Sequence, residues 1–192
     1  MRLSSLTCRH RNGHVEVCQW LIAHGAIPHA VDANGLSPLS LACQSGNVAL
    51  VFLLVIQPGV EEILHAKDTH GLTPLAWSLY TTSTPGEIPA LLCCFGADIN
   101  GKTGEYDFTA MHWAAFRGRA DLLKLLIRRG GKATALTSQG QTVADLWQAG
   151  GQKKEQFDAV LNWTPHKNVL FTKTSVPLPY TSDGLLSTHI RV

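Results

Sequence analysis

Charge is scarce in this 192-residue chain. Sixteen Lys and Arg face 14 Asp and Glu, so 16% of residues are charged and the net charge is +2. Nucleic-acid binding by charge is therefore not expected, since it needs a concentrated basic surface. Lys and Arg are scattered apart from the pairs Arg128-Arg129 and Lys153-Lys154, which read as solvated helix ends. Long apolar runs are also missing. The longest, Val48 to Ile56, is too short to cross a bilayer and reads as a buried helix, so no direct membrane insertion is expected. The opening MRLSSLTCRHRNGH lacks the apolar stretch of a secretory signal, and the expected compartment is the cytoplasm or the nucleus.

Metal-ligand spacing is absent too. The five cysteines are odd in number and include no Cys-x-x-Cys pair and no ligand-spaced His, so no metal site and no cofactor are expected. Cys18 and Cys43 fall on apolar helix faces, while Cys93 and Cys94 are adjacent and must point in different directions. All read as thiols acting as small hydrophobes. A nucleophilic Cys93 or Cys94 would need a base, and none stands at a useful spacing. His112 has no Cys or Ser partner, and Asp121 and Asp145 are isolated. Gly130-Gly131-Lys132 lacks the spacing of a phosphate loop, and the oxygen ligands of a calcium loop do not continue beyond Asp98-Ile99-Asn100-Gly101. An enzyme is not expected.

What is present is repetition. In Asp107 to Gly130, DFTAMHWAAFRGRADLLKLLIRRG, Thr109 has the chemistry of a helix N-cap. Met111, Trp113 and Ala114 follow at helical spacing, and Ala115 lets a neighbouring helix approach. Gly118 stops that helix, and Leu122, Leu123, Leu125, Leu126 and Ile127 form the apolar face of a second one. Arg128 and Arg129 in its last turn suit the negative end of the helix dipole. The apolar face of this hairpin is too wide to bury alone. The same cap-and-helix start recurs as Ser37-Pro38-Leu39, Thr73-Pro74-Leu75, Thr109-Ala110-Met111 and Thr142-Val143-Ala144, at offsets of 36, 36 and 33 residues. Gly35, Gly71, Asp107 and Gly140 stand two residues before the caps, where a hairpin tip needs left-handed backbone. Asp32 and Asp68 are placed to bond the backbone of their own turns, and Pro38 and Pro74 sit at the first helical position.

This pattern resembles the ankyrin family. The resemblance implies an all-α solenoid of stacked helix-turn-helix units with β-hairpin-like tips, in about four to five repeats. The repeat domain is expected over residues 1–162, with repeats near 4–31, 32–67, 68–103, 104–136 and 137–162. An irregular or disordered tail is expected over 163–192, with Val169-Leu170-Phe171 docking on the last helix.

Taken in order, the first repeat has Ser4 at its cap, Leu6 on the core side, and Arg9 and His10 where small residues are expected. Its second helix, Val15 to His24, presents Val17, Cys18, Leu21 and Ile22. Pro58 ends the second repeat early, and Val60 to Leu64 lengthens the connection that follows. In the third repeat Thr82 replaces a turn glycine. A distorted loop over Thr81 to Gly86 is expected, either a site of local mobility or a binding feature. A short helix from Glu87 to Phe95 follows, tolerating Pro89 only in its first turn. The fifth repeat offers Val143, Leu146 and Trp147, then a polar helix, Gln152 to Asn162, with Phe157, Val160 and Leu161 on one side.

In ankyrin stacks the hairpin tips and the exposed side of each first helix form a concave face that commonly holds protein partners. Carried onto this chain, the resemblance implies a partner-binding set of Asn34, Leu36, Gln44, His70, Leu72, Tyr80, Tyr106, Phe108, Phe116 and Arg117. Phe108 is the one most prone to pack into the neighbouring repeat. The resemblance gives His112 a structural role, bonding backbone near the hairpin. More narrowly, GLTPLAWSLYTTSTPGEIPALLCCFGADIN, TAMHWAAFRG and GQTVADL are similar to later ankyrin repeats of the Asp-His-His-Cys palmitoyltransferases. In that family the repeats recruit substrates for a separate membrane domain, and no Asp-His-His-Cys run occurs here. The expected function is a non-catalytic, monomeric module binding a protein partner. The alternative is the substrate-recruiting fragment or short form of a palmitoyltransferase.

Overall fold

Each hairpin tip is tied to its own helix start, and the ties determine how the pairs stack. The computed structural model describes residues 15–81 and 84–162. Among these lie α1 (Val15–Ala23), α2 (Pro38–Ser45), α3 (Val48–Val55), α4 (Val60–Leu64) and α5 (Pro74–Tyr80). They are followed by α6 (Glu87–Cys94), α7 (Ala110–Phe116), α8 (Ala120–Arg128), α9 (Val143–Ala149) and α10 (Lys154–Leu161). No strand occurs among the described residues; the tips contribute only the isolated bridges Thr103–Phe108 and Leu136–Thr142.

The four caps start α2, α5, α7 and α9. Side-chain oxygens of Ser37, Thr73 and Thr142 accept from the N–H groups of Ser40, Ala76 and Asp145, satisfying first-turn donors that otherwise lack partners. Asp145 returns the bond, accepting from both the N–H and the hydroxyl of Thr142 at 2.7 Å. These bonds hold its carboxyl below the usual range. Pro38 and Pro74 occupy first-turn positions as expected.

The tips obey the same logic. Asp32 Oδ1 accepts from the N–H groups of Asn34 at 2.8 Å and Leu36 at 2.9 Å; Asp68 Oδ1 does so from His70 and Leu72, both at 2.9 Å. Thr137 Oγ1 plays this part for Gln139 and Gln141. Gly35, Gly71, Asp107 and Gly140 have φ of 72°, 72°, 56° and 74°, all left-handed. Neighbouring tips are then joined by backbone bonds: Thr69 N–H to Asn34 O at 3.0 Å, Gly104 N–H to Gly71 O at 2.9 Å, and Ser138 N–H to Tyr106 O at 3.0 Å.

Behind the tips, α2, α5, α7 and α9 pack in sequence as an inner row. The outer helices pack as α1–α3–α6 and as α8–α10, with the α6–α8 junction looser than these. That junction is spanned by side chains. Arg119 donates to Thr84 O at 3.2 Å, Arg129 to Cys94 Sγ at 3.1 Å, and the Asn100 amide bonds both Gly130 O and Lys132 N–H. The core follows both rows, with Leu39, Leu50, Leu54, Leu75, Leu92, Met111, Leu123 and Leu126 essentially inaccessible. Burying each such side chain contributes roughly 1.5–3 kcal/mol.

Several expectations are corrected in detail. The lengthened connection after Pro58 is itself helical, as α4, because Ile63 and Leu64 find a place in the core. On α1, Val15 rather than Val17 joins Cys18, Leu21 and Ile22 against the core. Within Val48–Ile56, Phe52 and Ile56 face solvent at 44% and 43% exposure, so that run is buried on one side only. Leu161 is exposed while Phe157 and Val160 are buried. Cys18 and Cys43 are core residues, but Cys94 is exposed and does not act as a buried hydrophobe. At Thr81 the chain leaves α5 extended, with φ −82° and ψ 130°, where other inner helices turn through a left-handed glycine such as Gly46. The expectations for Ser4, Leu6, Arg9, His10, Thr82 and residues 163–192 lie outside the described residues.

Gly71 and Gly140 share nearly the same φ, 72° and 74°, but a Cβ at Gly71 would meet Gly104 N at 3.2 Å whereas nothing lies within 4 Å at Gly140. Gly140→Ala should cost about 1–2 kcal/mol for left-handed backbone alone, and Gly71→Ala measurably more. Urea denaturation of both variants checks this; equal losses would mean that tip-to-tip contact contributes nothing.

Candidate protein-binding site

An indole that is half-buried still needs a partner for its N–H. Trp77 and Trp113 stand four residues after the caps Thr73 and Thr109, on the tip-facing side of α5 and α7. Each finds its acceptor in the tip of its own repeat: Trp77 Nε1 donates to Asp68 Oδ2 at 2.8 Å, and Trp113 Nε1 to Thr103 Oγ1 at 3.0 Å. The rings are thereby fixed in place. Tyr80, at the last position of α5, lies between them, edge-on to Trp77 at 5.7 Å and to Trp113 at 5.5 Å.

The fourth tip supplies the other wall. Its backbone pair is Thr103–Phe108, one residue longer than the corresponding Asp32–Leu36, Asp68–Leu72 and Thr137–Gln141 pairs. The longer tip presents Tyr106 at 49% exposure and sets Phe108 against Trp113 at 4.9 Å. Tyr106 and Phe108 are themselves 5.9 Å apart. Tyr106, Phe108, Trp113, Phe116, Gln139 and Gln141 line an open groove of about 340 Å³. Arg117 stacks beside this lining, its guanidinium 4.5 Å from the Tyr80 ring centroid and 5.6 Å from that of Phe116.

The structure therefore brings together Tyr80, Tyr106, Phe108, Phe116 and Arg117. Asn34, Gln44 and His70 are exposed on earlier repeats, and Leu36 is half-buried. Leu72 needs correction as a surface residue. It is only 8% exposed, because the fourth tip covers it, its Cδ2 lying 3.6 Å from where a Gly104 side chain would begin. Phe108 is half-buried and packs against its own repeat's Trp113 and His112. Trp77, Trp113, Gln139 and Gln141 were missed by sequence reasoning. The two tryptophans carried a usable signal, since an indole at the same offset from each cap requires an acceptor in each tip.

His112 is fully buried and ties the start of α7 to the chain that leads into the fifth tip. Its Nδ1 accepts from Thr109 N–H at 3.1 Å, which places the proton on Nε2, and that nitrogen donates to Ala135 O at 3.1 Å. Burial holds its pKa below the ordinary 6.5. Its place is structural. Burial pushes the Cys93 thiol up to about 11, the reverse of an activated nucleophile, and also raises Cys18 and Cys43. Arg119 holds the Asp121 carboxyl below its usual range. No three His, Cys, Asp or Glu side chains converge as a metal set among the described residues, and no helix there is long and apolar enough to cross a membrane.

A family profile for ankyrin repeats in three copies matches residues 5–103, and one for ankyrin repeats in many copies matches residues 90–127. The chain belongs to the ankyrin-repeat family. Palmitoyltransferase AKR1 of Lachancea kluyveri is 31% identical over 132 residues, which is 68% of this chain and 18% of that protein. Palmitoyltransferase ZDHHC17 of Rattus norvegicus is 31% identical over 136 residues, or 71% and 21%. Ankyrin repeat protein nuc-2 of Neurospora crassa is 34% identical over 124 residues, or 64% and 11%. The chain thus spans about a fifth of these relatives' length or less. In the palmitoyltransferases the matched stretches are their ankyrin-repeat regions. Ankyrin repeats are non-catalytic modules of protein–protein interaction.

Because the folded state holds His112 neutral, it binds fewer protons than the unfolded state just below pH 6.5. Stability from this group is complete above that pH and is lost as pH falls through the lowered pKa. The melting temperature should therefore drop between pH 7.5 and 5, and His112→Gln should flatten the drop. At neutral pH the variant should lose about 1–3 kcal/mol, through Thr109 N–H and Ala135 C=O left unpaired. Thermal melts across pH check both.

Proposed function

We propose that this chain is a non-catalytic ankyrin module that holds a partner protein on the concave side of its stack, centred on the third to fifth repeats. The observation that carries this reading is the row Trp77, Tyr80, Trp113, Phe108 and Tyr106, whose members contact one another in sequence and leave Tyr80 and Tyr106 40% and 49% exposed. Aromatic rings and Arg are the side chains most enriched at binding hot spots. Rings already held by indole hydrogen bonds lose little freedom on binding, so more of the contact energy remains as affinity. Asn34, Gln44 and His70 extend the face toward earlier repeats as a polar rim, with half-buried Leu36 among them and Leu72 supporting it from beneath.

The similarity to the ankyrin regions of AKR1 and ZDHHC17 supports a second reading, in which these repeats recruit substrates for a palmitoyltransferase. The proteins recovered with the full chain separate the two. Clients that carry palmitate favour recruitment, and unrelated scaffold or signalling proteins favour an independent adaptor.

Tyr106→Ala with Phe116→Ala should reduce capture of the recovered partner at least tenfold, about 1.4 kcal/mol, while the helical circular-dichroism signal is retained. A collapse of that signal would instead assign the two rings to the core, and unchanged capture would remove this face from binding.

A further inference from the structure

Arg117 lies beside the groove, against Phe116 of its lining, and its Nε has no hydrogen-bond partner among the described residues. Its guanidinium stacks on Tyr80 and Phe116, and its Nε is shielded from solvent without a hydrogen-bond acceptor. Among the described residues no carboxylate pairs with it. Its neighbours show that this is not the rule here. Arg119, two residues on, takes both oxygens of Asp121 and the Thr84 carbonyl, and Lys102 takes Asp107. Asp68 is committed to its turn and Trp77, and Asp145 to Thr142, while Glu105, next to Tyr106 on the fourth tip, is exposed and makes no ion pair with Arg117. The polar groups lining the groove are the neutral amides of Gln139 and Gln141.

Covering the groove removes the remaining water from Arg117. A wholly apolar occupant would then leave a desolvated, unpaired guanidinium, which is costly. A cationic occupant would be repelled by Arg117 while competing for the same ring faces. An occupant with a carboxylate meets both demands, because a guanidinium already stacked in place can donate a charge-assisted, two-pronged hydrogen bond to it with little further ordering.

We propose that the groove takes an extended protein segment in which an Asp or Glu side chain pairs with Arg117. An adjacent apolar side chain sits among Tyr106, Phe108, Trp113 and Phe116, and the Gln139 and Gln141 amides face its backbone. This rests on the concave-face reading above and names the chemistry of its partner.

The test selects phage-displayed random dodecapeptides against the full 192-residue chain, counting only clones that lose binding to Trp113→Ala. Clones meeting that criterion should be enriched in Asp or Glu at a fixed spacing from an apolar residue. A synthetic peptide from that set should bind Arg117→Gln about tenfold or more weakly, with unchanged circular dichroism and melting temperature. The same library panned on Arg117→Glu should yield Lys or Arg at the acidic position, a switch that a merely structural arginine would not produce. Groove-dependent peptides without acidic enrichment, or indifferent to Arg117→Gln, overturn the carboxylate assignment and leave the concave-face reading standing. A library that yields no groove-dependent clone sinks both. Displacement of the peptide by a single-stranded oligonucleotide whose own binding is lost in Arg117→Gln would assign the arginine to phosphate and also overturn the proposal.

Discussion

The structure depends on how closely its inner helices approach one another. At the matching positions Ala42, Ser78 and Ala114 the side chain is small and fully inaccessible, and the Ser78 hydroxyl is satisfied by the Leu75 carbonyl at 2.7 Å. Small side chains there let α2, α5 and α7 lie near enough for adjacent tips to exchange backbone hydrogen bonds. Those bonds bring Gly71 and Gly104 so close that a side chain on the first would press on the second. Close helix packing and glycine tips are thus one constraint expressed at two ends of the repeat. In α9 the matching position is Trp147, whose indole donates to Lys153 O at 2.9 Å and whose ring lies 5.9 Å from Phe157. In the last described pair this large side chain packs within its own repeat.

Irregularity, against that regular background, falls beside the aromatic row proposed as the binding face. The third repeat leaves its inner helix by an extended residue, Thr81, and the α6–α8 junction behind it is loose. The fourth tip is longer by one residue and carries Tyr106 outward. Both departures adjoin the aromatic row. Stacking needs uniform repeats, whereas a distinctive surface needs some that are not uniform. The chain meets both demands by keeping the inner helices regular and varying the tip and the loop.

Much of this was legible in the residues because local rules and the global fold agree. Caps at Ser37, Thr73, Thr109 and Thr142, left-handed residues at Gly35, Gly71, Asp107 and Gly140, and Asp side chains folded onto their own turns all follow from chemistry within a few positions. What was missed depends on longer range. α4 forms because Ile63 and Leu64 meet a core assembled by other repeats. Leu72 is buried by a tip lying more than thirty residues further along the chain, so its own neighbours carried no warning. The candidate cluster was legible in part, since repeat geometry placed Tyr80, Tyr106, Phe116 and Arg117 on one face. The role of Trp77 and Trp113 was missed, although their shared offset from the caps was a signal, because Asp68 already had an apparent task in its turn and Thr103 had none.

That double use bears on how such a surface arises. Asp68 bonds two turn N–H groups through one oxygen and the Trp77 indole through the other. At the next repeat Thr103 does comparable work with a hydroxyl, donating to Phe108 O at 2.7 Å while accepting from Trp113 at 3.0 Å. The bonds that shape the tips therefore also aim the rings. A face held this way is preorganised as a by-product of folding, so affinity is gained without a separate ordering step. The same coupling constrains change. Substituting Asp68 or Thr103 would disturb tip and ring together, whereas Tyr80, Tyr106, Phe116 and Arg117 stand outside those bonds and can vary with the stack intact. On the proposed concave-face reading, specificity resides in those four positions, and the two tryptophans form the fixed floor beneath them.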